Sequence, residues 1–268
     1  MNVTQKDLTV ARVHPQARSW RSVRSLFALA AFLAAAWPTA SITAADQEDQ
    51  TIALHLAELL RSARSVISQD QTVINDPAVG DKGLTGDRVL AEAIAIYQKQ
   101  TGEDPLASDS QSREGQLLRA QMEAIKEVMS ENQSTINAQG VAFKGFIPAV
   151  FARLVNEKFE QHAGEMAKIK VTAPENLIRN RKSRPDAWEN AVLKDKFSSH
   201  DWTKGEPFSE VTTVDKRPAF RLLVPEYYKT SCLACHGEPA GEVDITGYPK
   251  EGGHEGDLGA AISIILFQ

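Results

Sequence analysis

The sequence is poor in cysteine, in long apolar runs and in net positive charge, and each shortage excludes a class of protein. Two cysteines in 268 residues cannot supply the several disulfides that stabilise small secreted domains. The most apolar stretch near the N-terminus, residues 26–37, is shorter than the roughly 20 residues that a membrane-spanning helix needs. The net charge of −5 argues against nucleic acid or an anionic membrane surface as a partner.

The N-terminal segment has the order of charges and apolar residues that is typical of a secretory signal peptide. Four arginines precede the apolar stretch: Arg12, Arg18, Arg21 and Arg24. Small residues follow it and end in Thr43-Ala44-Ala45, a pattern that signal peptidase cleaves. We predict a signal peptide over residues 1–45 and a periplasmic mature protein; the alternative is a retained anchor. Without this segment, 25 Lys and Arg stand against 34 Asp and Glu, a net charge of −9, and no later run predicts a membrane span.

The mature chain changes its hydrophobic period near Gly164, which predicts two parts. Residues 46–164 follow a helical period, with helices predicted over residues 87–100, 116–137 and 147–160 and a first helix that places Leu56, Leu59 and Leu60 on one face. Residues 165–268 alternate instead. They predict strands over residues 168–172, 208–214, 219–224 and 259–267, with a short helix over 186–197. The expected fold is α+β, with an antiparallel sheet packed against helices.

The sequence Cys232-Leu233-Ala234-Cys235-His236 is a C-x-x-C-H motif. Two thiols at this spacing can each add to a vinyl group of haem, and the adjacent histidine then ligates the iron as the proximal ligand. Two alternatives use the same cysteines: a thioredoxin-like redox pair and half of a zinc site. Export, the presence of only two cysteines and the adjoining histidine favour covalent attachment of one haem c.

Three stretches of the C-terminal part give a resemblance to a known family. They are Arg179-Asn180 with Pro185-Asp186-x-Trp188-Glu189, Arg221-x-x-x-Pro225 followed by the haem motif and Pro239, and Tyr248-Pro249 followed by Gly256-Asp257 and Gly259-Ala260-x-Ile262-Ser263. Their order resembles the single-haem, c-type sensor domain with a PAS-like fold, the Tll-like haem-binding domain. Arg181 and Ser183 depart from the family's first signature. Cys232 and Cys235 leave no third cysteine to ligate the distal side of the iron.

Other residues are candidates for contact with the haem. His254 lies in the glycine-rich segment after the motif and is the candidate distal ligand; an open sixth position is the alternative. Arg179 belongs to a basic cluster that pairs with haem propionates or forms a solvated loop. Arg221 lies within an apolar strand that leads to the motif, and we expect it to contact the cofactor as well.

These features predict a periplasmic cytochrome with one haem, acting as a redox or small-ligand sensor. The resemblance implies sensing, and the lack of an output domain after the last strand implies a separate redox or signalling partner. The cytochrome c maturation machinery is the second expected partner. A simple electron carrier is the first alternative, and a haem enzyme such as a peroxidase is the second. No acid–base pair or nucleophile triad supports catalysis.

Overall fold

The computed structural model describes residues 44–268, which form eight α-helices and four β-strands. The predicted signal peptide therefore lies outside the described residues, except for its last two residues. The helices are α1 (Ala44–Gln69), α2 (Gln71–Ile74), α3 (Gly86–Thr101), α4 (Arg113–Glu131), α5 (Gln133–Ile136), α6 (Pro148–Ala163), α7 (Ala187–Val192) and α8 (Leu233–His236). The strands are β1 (Ala167–Thr172), β2 (Phe208–Val214), β3 (Arg217–Tyr227) and β4 (Leu258–Phe267). None of these helices is long and apolar enough to cross a membrane.

The four long helices occur where the helical period predicts them, and one of them ends earlier than expected. Leu56, Leu59 and Leu60 of α1 are fully buried on one face of the helix. Helix α4 stops at Glu131, although the period predicts a helix to residue 137. Asn132 follows with its side-chain amide donating to the carbonyl of Val128 at 2.8 Å. A side chain that competes for backbone carbonyls in this way favours a helix end.

The strands form a single antiparallel sheet in the order β1-β4-β3-β2, so the predicted α+β class is confirmed. Strands β2 and β3 form a hairpin whose turn contains only Asp215 and Lys216, at φ 52° and 67°. Positive φ at both central residues matches the twist of a two-residue hairpin. The predicted connection of four residues was too long, since Arg217 and Pro218 belong to β3.

The two central strands, β3 and β4, are buried on both faces. On one face Leu222 and Ile264 pack into the core of the helical part. On the other face Leu223 and Ala261 pack against α7 and the π-helix that continues it, Leu193–Phe197. Cover on both faces explains why β4 is an almost continuous apolar run instead of an alternating one. The helical part and the sheet therefore share one core.

The motif lies in the long connection between these central strands. The ladder of β3 and β4 is irregular between Glu226 and Tyr227. Tyr228 then exchanges backbone hydrogen bonds with the returning chain, since its amide donates to Asp257 and its carbonyl accepts from Gly256. These hydrogen bonds hold the two ends of the connection together, so the sheet determines where the segment that contains the motif begins.

Candidate haem-attachment site

The motif forms a short helical segment whose backbone carbonyls accept hydrogen bonds from two other parts of the chain. Cys232 ends a 3₁₀ turn, Thr230–Cys232, and α8 contains Cys235 and His236. Both thiols are free and partly exposed. The carbonyl of His236 accepts from the amide of Gly253 at 2.7 Å. The carbonyl of Cys235 accepts from Arg179 at 2.8 Å. The backbone around the histidine is therefore fixed, while both cysteine residues keep part of their surface exposed.

The imidazole of His236 has one nitrogen engaged and the other without a partner. Its Nδ1 lies 2.9 Å from Oε2 of Glu251 and 3.4 Å from the hydroxyl of Tyr228. Within residues 44–268, its Nε2 makes no hydrogen bond or ion pair. A histidine that ligates a metal donates its other ring N–H to a carboxylate or carbonyl in nearly all cases. His236 has the arrangement of such a ligand.

Arg179 joins the motif to two carboxylates. Its Nε and Nη2 donate to the two oxygens of Glu251 at 2.8 and 3.0 Å. Its Nη1 donates to Asp244 at 2.6 Å. The Asp244 side chain has no exposed area and also accepts from the hydroxyl of Thr246. The structure thus brings Arg179 to the motif, where it binds the Cys235 carbonyl. Its donors are engaged by these groups, and its predicted contact with a propionate stays a prediction.

The pKa values of the two carboxyl groups are held low by these contacts. Burial raises the pKa of Asp244, but hydrogen bonds from Thr246, Arg179 and Tyr248 outweigh burial and leave it well below its ordinary value. Burial likewise raises the pKa of Glu251, and hydrogen bonds from Arg179 and His236 lower it further than burial raises it. Both groups are therefore carboxylates at neutral pH.

Tyr228 supports the histidine from one side, and its ring fits because two neighbours are glycines. A Cβ at Gly253 would lie 2.5 Å from a ring carbon of Tyr228, and a Cβ at Gly259 would lie 2.3 Å from another. Burial and the nearby Glu251 raise the pKa of Tyr228 to about 12. The phenol is therefore protonated.

The two alternative uses of the cysteines have less support. A thioredoxin-like pair lies at the start of a helix that follows a strand in a βαβ unit, whereas α8 has four residues and β3 is antiparallel to both of its neighbours. For a metal ion, no group of three His, Cys, Asp or Glu side chains within residues 44–268 has an arrangement that could hold one.

His254 lies close to the motif in the chain but points into solvent. Its neighbour Gly253 binds the His236 carbonyl, whereas the His254 side chain is 72% exposed. The imidazole Nδ1 is 3.4 Å from Asp257. Its role as distal ligand stays a prediction.

Arg221 belongs to a different cluster, on the face of the sheet that α7 covers. The side chain is 5% exposed and donates to Asp186 at 2.7 Å. Its guanidinium lies 4.2 Å from the ring centre of Trp188. Asp186 and Glu189 also cap α7 reciprocally, each side chain accepting from the other's backbone amide. Within the described residues this cluster has no hydrogen bond to the motif, and the predicted contact of Arg221 with the cofactor stays a prediction.

Sequence reasoning missed three residues of the site. Tyr228, Asp244 and Glu251 reach the motif only through tertiary contacts, and nothing in their spacing distinguishes them from other loop residues. The one available signal was position, since Glu251 lies between Tyr248-Pro249 and His254, two segments already singled out.

Comparison with known proteins places the chain in a family. No curated protein and no solved structure matches the sequence. The Tll0287-like family, described as Tll0287, matches residues 42–266. The match therefore extends beyond the predicted C-terminal part and includes the helices, in agreement with their shared core. It indicates a cytochrome-type domain and haem binding. The chain belongs to the Tll0287-like family.

Proposed function

We propose that this protein is a c-type cytochrome with one haem, attached through the thiols of Cys232 and Cys235 and ligated by His236. The observation that carries the proposal is the state of His236, whose Nδ1 is bound by Glu251 while Nε2 has no partner in residues 44–268. Two free thiols precede it at the required spacing. The family match adds independent support for haem binding.

The residues present fit this group. Haem would supply a one-electron couple and a coordination position for a small ligand. The chain supplies two thiols, an axial nitrogen and a backbone fixed by Arg179 and Gly253 on either side of the histidine.

We propose further that the protein acts as a sensor and that its sheet is PAS-like. The support is a connection from the motif to the helical part. Strand β3 leads into the motif and ends beside Glu226, whose carboxylate accepts from Arg61 at 2.5 Å and from Arg64 at 2.9 Å. Both arginines belong to α1. A displacement of the motif can therefore reach α1 through charged hydrogen bonds.

The distal side of the iron distinguishes a sensor from an electron carrier. A site that is open, or held weakly by His254, favours ligand binding and a change of coordination. A carrier keeps one coordination state and passes electrons to a redox partner. The exported location, the maturation machinery and a separate signalling or redox partner are parts of the same proposal.

Attachment is tested by the mass of the denatured protein, produced in cells that mature c-type cytochromes. We expect the processed polypeptide plus one haem. The matched control is Cys232→Ala with Cys235→Ala, which we expect to release all haem on denaturation. A wild-type protein with only the polypeptide mass would overturn the proposal. The N-terminus of the same sample, taken from the periplasm, should lie near Ala44 or Ala45.

Ligation and role are tested by optical spectra of the oxidised, reduced and CO-treated protein. We expect CO to shift the spectrum of the reduced protein, and His236→Ala to shift the Soret band. An unchanged Soret band in that variant would mean that another residue ligates the iron. A low-spin, six-coordinate iron that does not bind CO would identify an electron carrier, and turnover of peroxide would identify an enzyme.

A further inference from the structure

The carboxylate of Glu251 makes the shortest polar contact with the imidazole of the proposed axial ligand. Its Oε2 lies 2.9 Å from Nδ1 of His236. An ionised carboxylate can only accept hydrogen bonds. A neutral imidazole that donates to Glu251 therefore carries its hydrogen on Nδ1 and its lone pair on Nε2.

Glu251 is held in place from the opposite side. Arg179 binds both of its oxygens in a two-pronged contact. The guanidinium is itself fixed by the buried Asp244 and by the carbonyl of Cys235. Carboxylate, guanidinium and motif therefore form one connected unit, and Glu251 cannot turn away from His236 without breaking charged hydrogen bonds.

This unit carries a net negative charge beside the imidazole. Arg179 contributes one positive charge, while Asp244 and Glu251 contribute one negative charge each. The side chains of Asp244 and Glu251 are largely removed from solvent, so water screens this charge less than it would at the surface. A negative charge next to the ligand favours the iron state of higher positive charge, which is the oxidised one.

We propose that Glu251, positioned by Arg179 and Asp244, sets the reduction potential of the haem iron by fixing the tautomer of His236 and increasing electron donation from its Nε2. Second-shell partners of ligating histidines raise ligand basicity in this way. Glu251 is a positioning residue, since its effect passes through the imidazole. The inference rests on the proposed haem attachment and adds to it a determinant of the potential.

The test is a redox titration of the holoprotein with Glu251→Gln. Glutamine keeps the shape of the side chain and removes the charge. We expect reduction to become at least tenfold more favourable, which corresponds to about 59 mV for one electron. The matched control is Glu242→Gln. Glu242 lies in the same connection between β3 and β4, but its carboxylate pairs with Lys250 and not with His236. The control should change the equilibrium much less.

The outcomes separate this inference from the proposed function. If the wild-type protein carries no covalent haem, the proposed function fails before the titration begins. If haem is attached and Glu251→Gln has the potential of the wild type, the inference alone is overturned. Equal shifts in both variants would also overturn it, since they would show a general effect of surface charge. Glu251→Asp is a check against damage to the fold. Aspartate keeps the negative charge on a shorter side chain, so the reduction potential of this variant should lie between those of the wild type and Glu251→Gln.

Discussion

Tyr228 lies nearly parallel to His236, with ring centres 5.0 Å apart and ring planes 20° from each other. The tyrosine follows β3 directly, so its backbone position is set by the sheet. Its ring lies against Gly253 and Gly259 at two different edges and stacks on the imidazole. The orientation of the proposed iron ligand therefore depends on a side chain that the core of the sheet holds in place.

Gly259→Ala should disturb this support. The new Cβ would lie 2.3 Å from a ring carbon of Tyr228, so the ring has to move. Overpacking of this kind costs about 1–3 kcal/mol, and we expect chemical denaturation to show a loss of that size. Gly80→Ala is the control, because its Cβ meets only the flexible end of Gln139. Equal stability of the two variants would contradict the proposed packing.

Arg221→Ala should destabilise the protein more than the removal of an exposed arginine does. Arg221 is buried and faces Asp186 and Glu189, and Glu189 would be left buried with less compensating charge. Removal of one partner from a buried pair costs about 3–5 kcal/mol. Arg217→Ala, on the same strand, removes an arginine whose partner Glu165 is exposed, and its cost should be below about 1 kcal/mol. Denaturant midpoints that coincide would show that the cluster contributes little.

Asp244 should make the stability fall in acid. Its folded-state pKa lies below its ordinary value of 3.8, so the unfolded chain takes up a proton first as the pH falls. The stabilisation is therefore complete above about pH 5 and is lost as the pH decreases towards the folded pKa. Asp244→Asn should lower stability at pH 7 by about 2 kcal/mol, the range of hydrogen bonds to charged groups.

The same variant should also lose less stability than the wild type between pH 5 and pH 3, because the titrating group is gone. Urea unfolding at several pH values measures both effects. Asp201→Asn, which changes an exposed aspartate, is the control and should keep the wild-type pH dependence. An identical slope for Asp244→Asn and the wild type would exclude Asp244 as a source of the acid sensitivity.

The course of the helices and strands followed from the sequence because their apolar periods are local. Helix α6 lies where the hydrophobic period of 3.6 residues predicts a helix, and strand β4 lies where the final apolar run predicts a strand. The end of α4 coincides with a side-chain contact of Asn132, and the length of the hairpin turn follows from the conformation of Asp215 and Lys216. Neither feature alters the hydrophobic period, so neither was visible in it.

The candidate site also contains residues that the sequence predicts and residues that only the tertiary structure identifies. Cys232, Cys235 and His236 are adjacent in sequence, and their spacing alone indicates the chemistry. Arg179 and Glu251 are 72 residues apart and are brought together only by the tertiary structure. Arg179 lies at the motif, whereas Arg221 lies in a separate cluster. The sequence pattern predicted the same role for both arginines, because it contains no information about where in the fold each side chain would lie.

The last prediction concerns coupling between the motif and α1. If the protein is a sensor, reduction or CO binding should change hydrogen exchange at the end of β3 and in α1, because Glu226 joins the two elements through Arg61 and Arg64. Glu226→Gln removes the charge that both arginines share. We expect this variant to keep its haem and its optical spectrum, while the exchange of α1 responds much less to the state of the iron; the hydrogen bond from Arg61 to the Pro225 carbonyl remains.

Glu58→Gln is the matched control for this experiment. Glu58 also pairs with Arg61, at 3.4 Å, but both residues belong to α1. The Glu58→Gln substitution therefore removes a carboxylate partner of Arg61 and leaves the contact between Arg61 and Glu226 of β3 in place. Hydrogen exchange in α1 should still respond to the state of the iron. If the oxidised, reduced and CO-treated wild-type proteins show the same exchange in α1, no signal leaves the haem by this route. A fixed six-coordinate iron in that case would make electron transfer the better account of the protein, because attachment through Cys232 and Cys235 serves a carrier and a sensor equally well.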